Sequence, residues 1–301
     1  MYIKDIFLKK KPLISFEIFP PKKESSIDTI YNTIDQLAPL KPDYISVTYG
    51  AGGNSETRNK TVEIASIIKN KYNIEALAHL TCMTSTRDEV NGILNDLKEN
   101  NIKNILALRG DLPQDTNFKF PEPLHFRYAE DLIKDIKNHE DFCIAAACYP
   151  EMHIESNSAD EDFKNLKGKV NSGVDFLITQ LFLDNKFFYD FKQRSEDKKI
   201  NIPIEVGIMP VINSKQIVRI ASLCGAHIPE KFTKIINKYI DNPQALRDAG
   251  IAYATEQIID LLSSGVDGIH IYTMNNPEVA KKIVSNIDSI VSALNSGNKL
   301  Q

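Results

Sequence analysis

Short β-rich runs alternate with amphipathic helical patterns along the whole 301-residue chain, and that alternation leaves few folds open. The strand candidates are Leu13–Phe19, Tyr44–Tyr49, Ala76–Thr81, Asn104–Leu108, Phe142–Tyr149, Phe176–Phe182, Ile204–Met209 and Gly268–Tyr272. Most are unbroken apolar runs, as expected of parallel strands covered on both faces. Between them Ile27, Ile30, Tyr31, Ile34 and Leu37 keep the spacing of one buried helical stripe. Val62–Ile68, Val90–Leu97, Leu132–Ile136, Phe187–Phe191 and Ile217–Ala221 carry similar patterns. Two further helices are expected around Phe232–Ile240 and Ile251–Leu262, and a last one near Val279–Leu294. Eight β-then-α units in this length predict a (β/α)8 TIM barrel, a single domain over residues 1–301.

A doubly wound sheet would carry a glycine-rich turn after its first strand. Here that turn is Pro20-Pro21-Lys22-Lys23, which cannot cradle a pyrophosphate, and Gly50-Ala51-Gly52-Gly53 has Ser55 where the fingerprint needs its third glycine. A net charge of −4, with no basic cluster interleaved with aromatics, argues against nucleic acid as a partner. The Lys9-Lys10-Lys11 run before Pro12 reads as a solvated approach to the first strand. No signal peptide is recognisable, and the longest apolar run, Phe142 to Tyr149, is far short of the roughly 20 residues that span a bilayer. The four cysteines form no C-x-x-C pair and read as reduced, mostly buried thiols. No membrane association and a cytoplasmic location are the expectations.

Glu17 interrupts the apolar stretch Leu13–Phe19. Positions Leu13, Ser15, Glu17 and Phe19 mix sharply in polarity, so this strand has no clean solvent face. A carboxyl buried in such a strand is expensive to ionise, and that property suits a general acid. Barrel active sites lie where the strands exit at their C-terminal ends. The residues there are Thr48-Tyr49, His79 with Thr81, Arg109-Gly110-Asp111, Tyr149 with Glu151 and His153, Gln180, and Tyr272-Thr273. Any one could cap a helix; as a ring around Glu17 they read as a pocket. No strand ends in lysine, which disfavours a Schiff-base aldolase. No His-x-His or paired i, i+4 histidine marks a metal site, and no Gly-x-Ser-x-Gly elbow is present. Residue chemistry alone thus reaches a barrel enzyme with a carboxylic acid and a heteroaromatic cofactor or substrate near Arg109 and Asp111.

Ser15-Phe16-Glu17-Ile18-Phe19-Pro20-Pro21-Lys22, Ser46–Ala51, Ala78–Cys82 and Leu108–Pro113 resemble the signature blocks of methylenetetrahydrofolate reductases. Tyr149-Pro150-Glu151-x-His153, Asn165-Leu166-Lys167, Ile178-Thr179-Gln180 and Gly207–Val211 continue the likeness in the same order. It runs from about Ile14 to Tyr272 and is similar to the short bacterial form, the catalytic barrel alone.

That resemblance implies tightly bound FAD, a nicotinamide dinucleotide (NADH or NADPH, with NADH usual) as reductant, and methylenetetrahydrofolate as substrate. The reaction would be ping-pong, yield 5-methyltetrahydrofolate and supply methionine synthesis, with the chain in a homo-oligomer. Glu17 takes the family role of acid and Asp111 that of the carboxylate beside the flavin's pyrimidine end. Thr48, His79, Arg109, Gly110, Asp111, Tyr128, Ala129, Tyr149, His153, Asp162, Asn165 and Lys169 fall on FAD-binding positions, and Gln180 and Gln216 on folate or nicotinamide contacts. Asp162 and Asn165 would share one face of a helix starting near Asp160. Three positions depart from the pattern: Ile220 replaces a phenylalanine, Asn276 an arginine, and Gly168 a basic residue. Two other classes remain to be separated by experiment, a metal-assisted hydrolase or lyase barrel and a non-catalytic folate- or flavin-binding protein.

Overall fold

The computed structural model describes residues 1–21, 26–49, 55–112, 118–139 and 141–297; Lys22, Gly50, Ala51 and Pro113 of the family blocks fall outside them. Eight parallel strands close into a barrel in sequence order. They are β1 (Leu13–Ile18), β2 (Tyr44–Val47), β3 (Glu75–Thr81), β4 (Asn104–Leu108), β5 (Cys143–Cys148), β6 (Phe176–Thr179), β7 (Ile204–Ile208) and β8 (Gly268–Tyr272). The helices are α1 (Ile3–Phe7), α2 (Asp28–Leu37), α3 (Ser55–Asn70), α4 (Arg87–Glu99), α5 (Ala129–His139) and α6 (Ala159–Asn171). They continue as α7 (Asn185–Asp197), α8 (Ser214–Cys224), α9 (Glu230–Tyr239), α10 (Pro243–Ser263) and α11 (Pro277–Gly297). The predicted (β/α)8 barrel is the observed fold.

Strand alternation divides the apolar residues into two cores. Ile14, Phe16, Ile18, Val47, Ala78 and Ile105 point outward and pack on the helix stripes, including Ile30, Ile34 and Leu37. Leu13, Tyr44, Leu77, Leu106, Ala145, Phe176 and Ile178 point inward and fill the lower lumen. Helix α1, which the sequence pattern did not reveal, plugs the base with Ile3 and Phe7, and the Phe7 and Phe176 rings lie 5.3 Å apart. A five-residue helix is too short to show periodicity and stands only because its apolar side chains enter the lumen.

The base is held by one device used three times. Asp43, Asp175 and Asp267 sit just before β2, β6 and β8, and each accepts a backbone N–H from the preceding strand. The donors are Ile14, Ile144 and Ile204, each at 2.8 Å. Each aspartate also meets a lysine: Lys10 on Asp43, Lys11 on Asp267, and Lys4 with Lys137 on Asp175. The lysine run before β1 is therefore anchored at two of its three positions, a correction to the solvated approach expected from sequence.

Several strands run one or two residues shorter or longer than expected, and two larger boundary differences have a local cause. β6 stops at Thr179, not Phe182, because Leu181 turns into a cluster with Met209 and Ile217 while Phe182 stacks on Phe188. α10 begins at Pro243, ahead of the Ile251 expected, since the Asn242 side chain caps it and proline suits a first-turn position. Asp175→Ala removes the acceptor for a strand N–H and for two lysines. It is expected to lower unfolding free energy by about 1–3 kcal/mol, read from the urea midpoint at unchanged m-value.

Candidate active site

Glu17 points into the lumen at the C-terminal end of β1 and is 7% exposed. Its Oε2 lies 3.5 Å from Nε2 of His79 on β3 and 3.7 Å from Nε2 of His270 on β8. The mixed polarity of β1 is thus the signature of an inward row that starts in the apolar plug and ends in a polar mouth. The backbone that carries Glu17 is held from behind by the chain beyond β8. Thr273 donates its hydroxyl to the Glu17 carbonyl at 2.6 Å. Asn275 clamps Phe19 with its amide: Oδ1 accepts the Phe19 N–H at 2.8 Å and Nδ2 donates to the Phe19 carbonyl at 2.9 Å. Asn275 adopts a left-handed φ of 55°, a conformation asparagine tolerates better than most residues.

His79 is buried, and its Nε2 makes no hydrogen bond. Burial pushes its pKa down to about 4, against the opposing pull of Glu17. At neutral pH it is therefore an uncharged imidazole facing the acid. His270 is fully buried, stacked on Tyr44 at 5.9 Å, with Nδ1 2.6 Å from the Ser15 hydroxyl. Beside it, Tyr272 donates to the Thr179 carbonyl at 2.7 Å across the position of Gly207. A Cβ at Gly207 would come within 2.3 Å of that carbonyl and 2.6 Å of the tyrosine oxygen, so only glycine fits.

The remaining predicted residues form a rim on the strand exits. Arg109 follows β4 and makes a two-pronged ion pair with Glu155, Nη2 donating to Oε1 at 2.7 Å. That bond holds the Glu155 carboxyl below its usual range and the guanidinium above its own. Gly110 has φ +88° and would bring a Cβ to 3.0 Å from Thr81, so both backbone and space require glycine. Asp111 and Tyr128 are exposed, Ala129 opens α5, and Thr48 is buried at the end of β2. Tyr149 packs edge-on against His153 at 4.6 Å, and the Lys169 ammonium lies 6.0 Å from the Tyr149 ring. Burial lowers the pKa of both Lys169 and His153, and Lys169 donates to the Ala147 carbonyl at 2.6 Å.

Asp162 and Asn165 do lie on α6, but Asp162 is buried and accepts from the Ser156 hydroxyl while Asn165 is exposed. Gln180 has its Oε1 held by the Leu181 N–H, and Gln216 is half-buried in the first turn of α8 behind the Asn213 cap. Of the three departures, Gly168 faces α5, where a Cβ would come 2.8 Å from a carboxyl oxygen of Glu130, the movable end of a flexible side chain. Asn276 accepts from Arg247 and caps the start of α11, and Ile220 packs beside Ile217 and Phe232. Sequence reasoning passed over Ser15, Tyr44, Ser46, Glu205 and His270 as site residues. Their only signal was polarity at inward-facing strand positions, which becomes visible once the barrel register is known.

The fold and this site together describe a (β/α)8 barrel with an acid in its mouth, two imidazoles against it and cations on its rim. The sequence model of methylenetetrahydrofolate reductase matches residues 2–288. Over 270 residues the chain is 38% identical to 5,10-methylenetetrahydrofolate reductase of Escherichia coli K12, covering 90% of this chain and 88% of that one. It is 37% identical to the protein of that name from Pectobacterium carotovorum, with the same coverage. It is 34% identical to methylenetetrahydrofolate reductase (NADH) 1 of Arabidopsis thaliana, spanning 96% of this chain and 50% of the plant protein. Among solved structures, an uncharacterized Clostridium thermocellum protein that binds 5-methyl-5,6,7,8-tetrahydrofolic acid superposes with TM-score 0.66 at 15% identity, covering 97% of this chain and 99% of that one. The chain belongs to the methylenetetrahydrofolate reductase family.

A neutral buried imidazole has a stability signature. His79 stays unprotonated in the folded state down to about pH 4, whereas the unfolded chain takes up its proton near 6.5. Between those values the unfolded state binds more protons, so this contribution is complete above 6.5 and is lost as pH falls. Relative to His79→Asn, the wild type is expected to lose up to roughly 3 kcal/mol across that window. Denaturation of both proteins across the window checks it; parallel curves would mean His79 is solvated.

Proposed function

We propose that this chain reduces 5,10-methylenetetrahydrofolate to 5-methyltetrahydrofolate, using FAD and a nicotinamide dinucleotide in a ping-pong sequence that serves methionine synthesis. The observation that carries this reading is the Glu17 carboxyl, sheltered in the barrel mouth and facing two imidazoles. Support for NADH as the donor comes from the Arabidopsis relative, which is named for it. Among the described residues no helix is long and apolar enough to cross a membrane; the cytoplasm as the place of action is part of this proposal.

The residues present fit FAD. Gly110 lets a ligand approach the backbone, and the His79 Nε2 is a buried polar atom without a hydrogen bond. Arg109 and the half-buried Lys169 would supply cations for an anionic cofactor, and the desolvation that lowers the Lys169 pKa makes an anionic partner more favourable still. Thr48, Tyr128, Ala129, Tyr149, His153, Asp162 and Asn165 would complete the set of residues that hold FAD. Asp111 would face the pyrimidine end. When bound, the flavin supplies a two-electron carrier between nicotinamide and the folate one-carbon bridge.

The chain's own residues handle the proton and the positioning. Glu17 protonates the nitrogen that departs as the five-membered ring of methylenetetrahydrofolate opens, which makes the bridge carbon electrophilic. His79, uncharged at neutral pH, withholds competing positive charge from that acid. Gln180 and Gln216 offer amide groups to the pterin edge. Thr273 and Asn275 hold the backbone on both sides of Glu17, so the acid arrives already oriented.

Purified protein is expected to release a chromophore with a flavin spectrum; colourless protein unable to take up FAD would overturn the reading. Glu17→Gln should leave NADH bleaching of the flavin within about twofold and slow folate reduction by roughly 10²–10⁴-fold. Anaerobic stopped-flow of the two half-reactions measures both, and equal loss in each would make Glu17 architectural.

A further inference from the structure

Below Glu17 the lumen holds a second carboxyl that the reaction above does not use. Glu205 on β7 is fully buried, as are Ser15, Tyr44, Ser46 and His270 around it. Its Oε1 accepts the Ser15 hydroxyl at 2.5 Å and its Oε2 the Tyr44 hydroxyl at 2.5 Å. No lysine or arginine is among these partners, and the space it fills is kept open by Gly268, where a Cβ would stand 3.1 Å from Glu205 Cγ. Beneath it the apolar plug of Leu13, Leu77, Leu106 and Phe176 closes the base. Taking a carboxyl to such a place with hydroxyl partners alone is expensive, so its retention asks for an explanation.

The Ser15 oxygen sits within hydrogen-bond distance of both Glu205 Oε1 and His270 Nδ1, the latter at 2.6 Å. A serine hydroxyl carries one proton and can donate to only one of them. If Ser15 donates to an ionised Glu205, then His270 must donate from Nδ1, and its Nε2 turns a lone pair toward Glu17. If Glu205 is protonated and donates to Ser15, the serine donates to Nδ1, and Nε2 carries the proton toward Glu17. Nε2 lies 3.7 Å from Glu17 Oε2 and 3.3 Å from the Ser46 hydroxyl, so a small ring tilt or the Ser46 hydroxyl completes the path. The two arrangements differ by one proton's place along a single chain of side chains.

We propose that Glu205, Ser15 and His270 are positioning residues that share one mobile proton with Glu17 and reload it from inside the barrel while substrate covers the mouth. This rests on the role of Glu17 given above. In the reloading step Glu205 O–H gives its proton to Ser15 Oγ, Ser15 gives its own to His270 Nδ1, and His270 gives the Nε2 proton to the Glu17 carboxylate. Three bonds to hydrogen break and three form, no electrons change hands, and Glu205 ends as the carboxylate. When product leaves, water at the mouth protonates Glu17 and the same path runs backward to refill Glu205.

The electrostatics around the store agree. Burial pushes the Glu205 carboxyl up to about 7, against the opposing pull of His270, Ser15 and Tyr44, while Asp43 at the start of β2 adds to the rise. Asp43 is itself paired with Lys10. Tyr44 is driven well above 10 and remains a donor in either arrangement. At the other end Glu17 faces His79 and His270, with Tyr272 acting through space. A group that titrates near neutrality can both release and recover a proton there.

Two substitutions test the relay. Glu205→Gln keeps an acceptor for Ser15 but has no acidic proton, and Ser15→Ala severs the path without changing charge. In protein labelled with 15N-histidine, nuclear magnetic resonance of the wild type should show the His270 tautomer changing as pH crosses neutrality. In both variants that change should vanish. In single-turnover folate reduction at and below neutral pH, both variants should fall behind wild type by about tenfold or more, the gap closing above neutrality as Glu205 itself loses its proton, with NADH reduction of the flavin within about twofold. A His270 tautomer change and a pH profile like those of wild type in both variants would overturn the relay and leave the Glu17→Gln result standing. Equal slowing of both half-reactions would overturn it in favour of a packing role. Were Glu17→Gln to retain folate reduction, the assignment of the acid would fall, and the His270 resonances would still decide whether the proton is shared.

Discussion

The pairing of β1 with β8 is the constraint on which the rest of this molecule depends. It joins residues near the two ends of the chain, setting Ser15 beside His270 and Glu17 beside Tyr272 in register. Closure removes the sheet edges and turns one face of every strand into a lumen that water does not fill. Because strand periodicity is two, a slip of one residue there would send Glu17 outward among the helices and Phe16 into the mouth. The hydrogen bonds from Thr273 and Asn275 to Glu17 and Phe19 fasten the same seam at its upper end, so the register that completes the barrel also aims the acid.

The lumen is graded along its axis. Its lower part is apolar and sealed by α1, its middle holds hydroxyls, an imidazole and Glu205, and its mouth holds Glu17 and His79. Burial makes each charge expensive, which is why Glu205 in the middle is pushed up while His79 at the mouth is pushed down. The two shifts oppose one another as contributions to stability between the carboxyl and imidazole ranges. His79 favours the folded state as pH rises, whereas Glu205 binds its proton more tightly when folded and favours it as pH falls. A barrel can therefore carry both groups with a smaller net pH dependence than either alone would impose.

At the rim the same chemistry is less rigid. Arg109 is paired with the half-exposed Glu155, an interaction screened by solvent that a multiply charged anionic ligand can displace. Gly168 faces the Glu130 carboxyl of α5. Asn276 is likewise occupied with Arg247 and the start of α11. The departures from the family pattern thus have local structural partners, and they lie apart from the Glu17 seam.

The sequence by itself determined the fold class and the inward place of the Glu17 carboxyl. Eight apolar runs separated by amphipathic helices fit few architectures, and a charged residue inside a doubly covered strand has few places to go. Most of the ring around Glu17 was legible because barrel strands end in functional side chains, a rule that needs only strand boundaries. Ser15, Glu205 and His270 were not legible as a unit, since they stand on β1, β7 and β8 and meet only through closure and register. Helix α1 and the thrice-used aspartate at the barrel base were hidden for the same reason. Local periodicity records which face of an element is buried; which residues face one another across a lumen is decided by tertiary packing, because hydrogen-bond register and strand tilt are properties of the whole sheet.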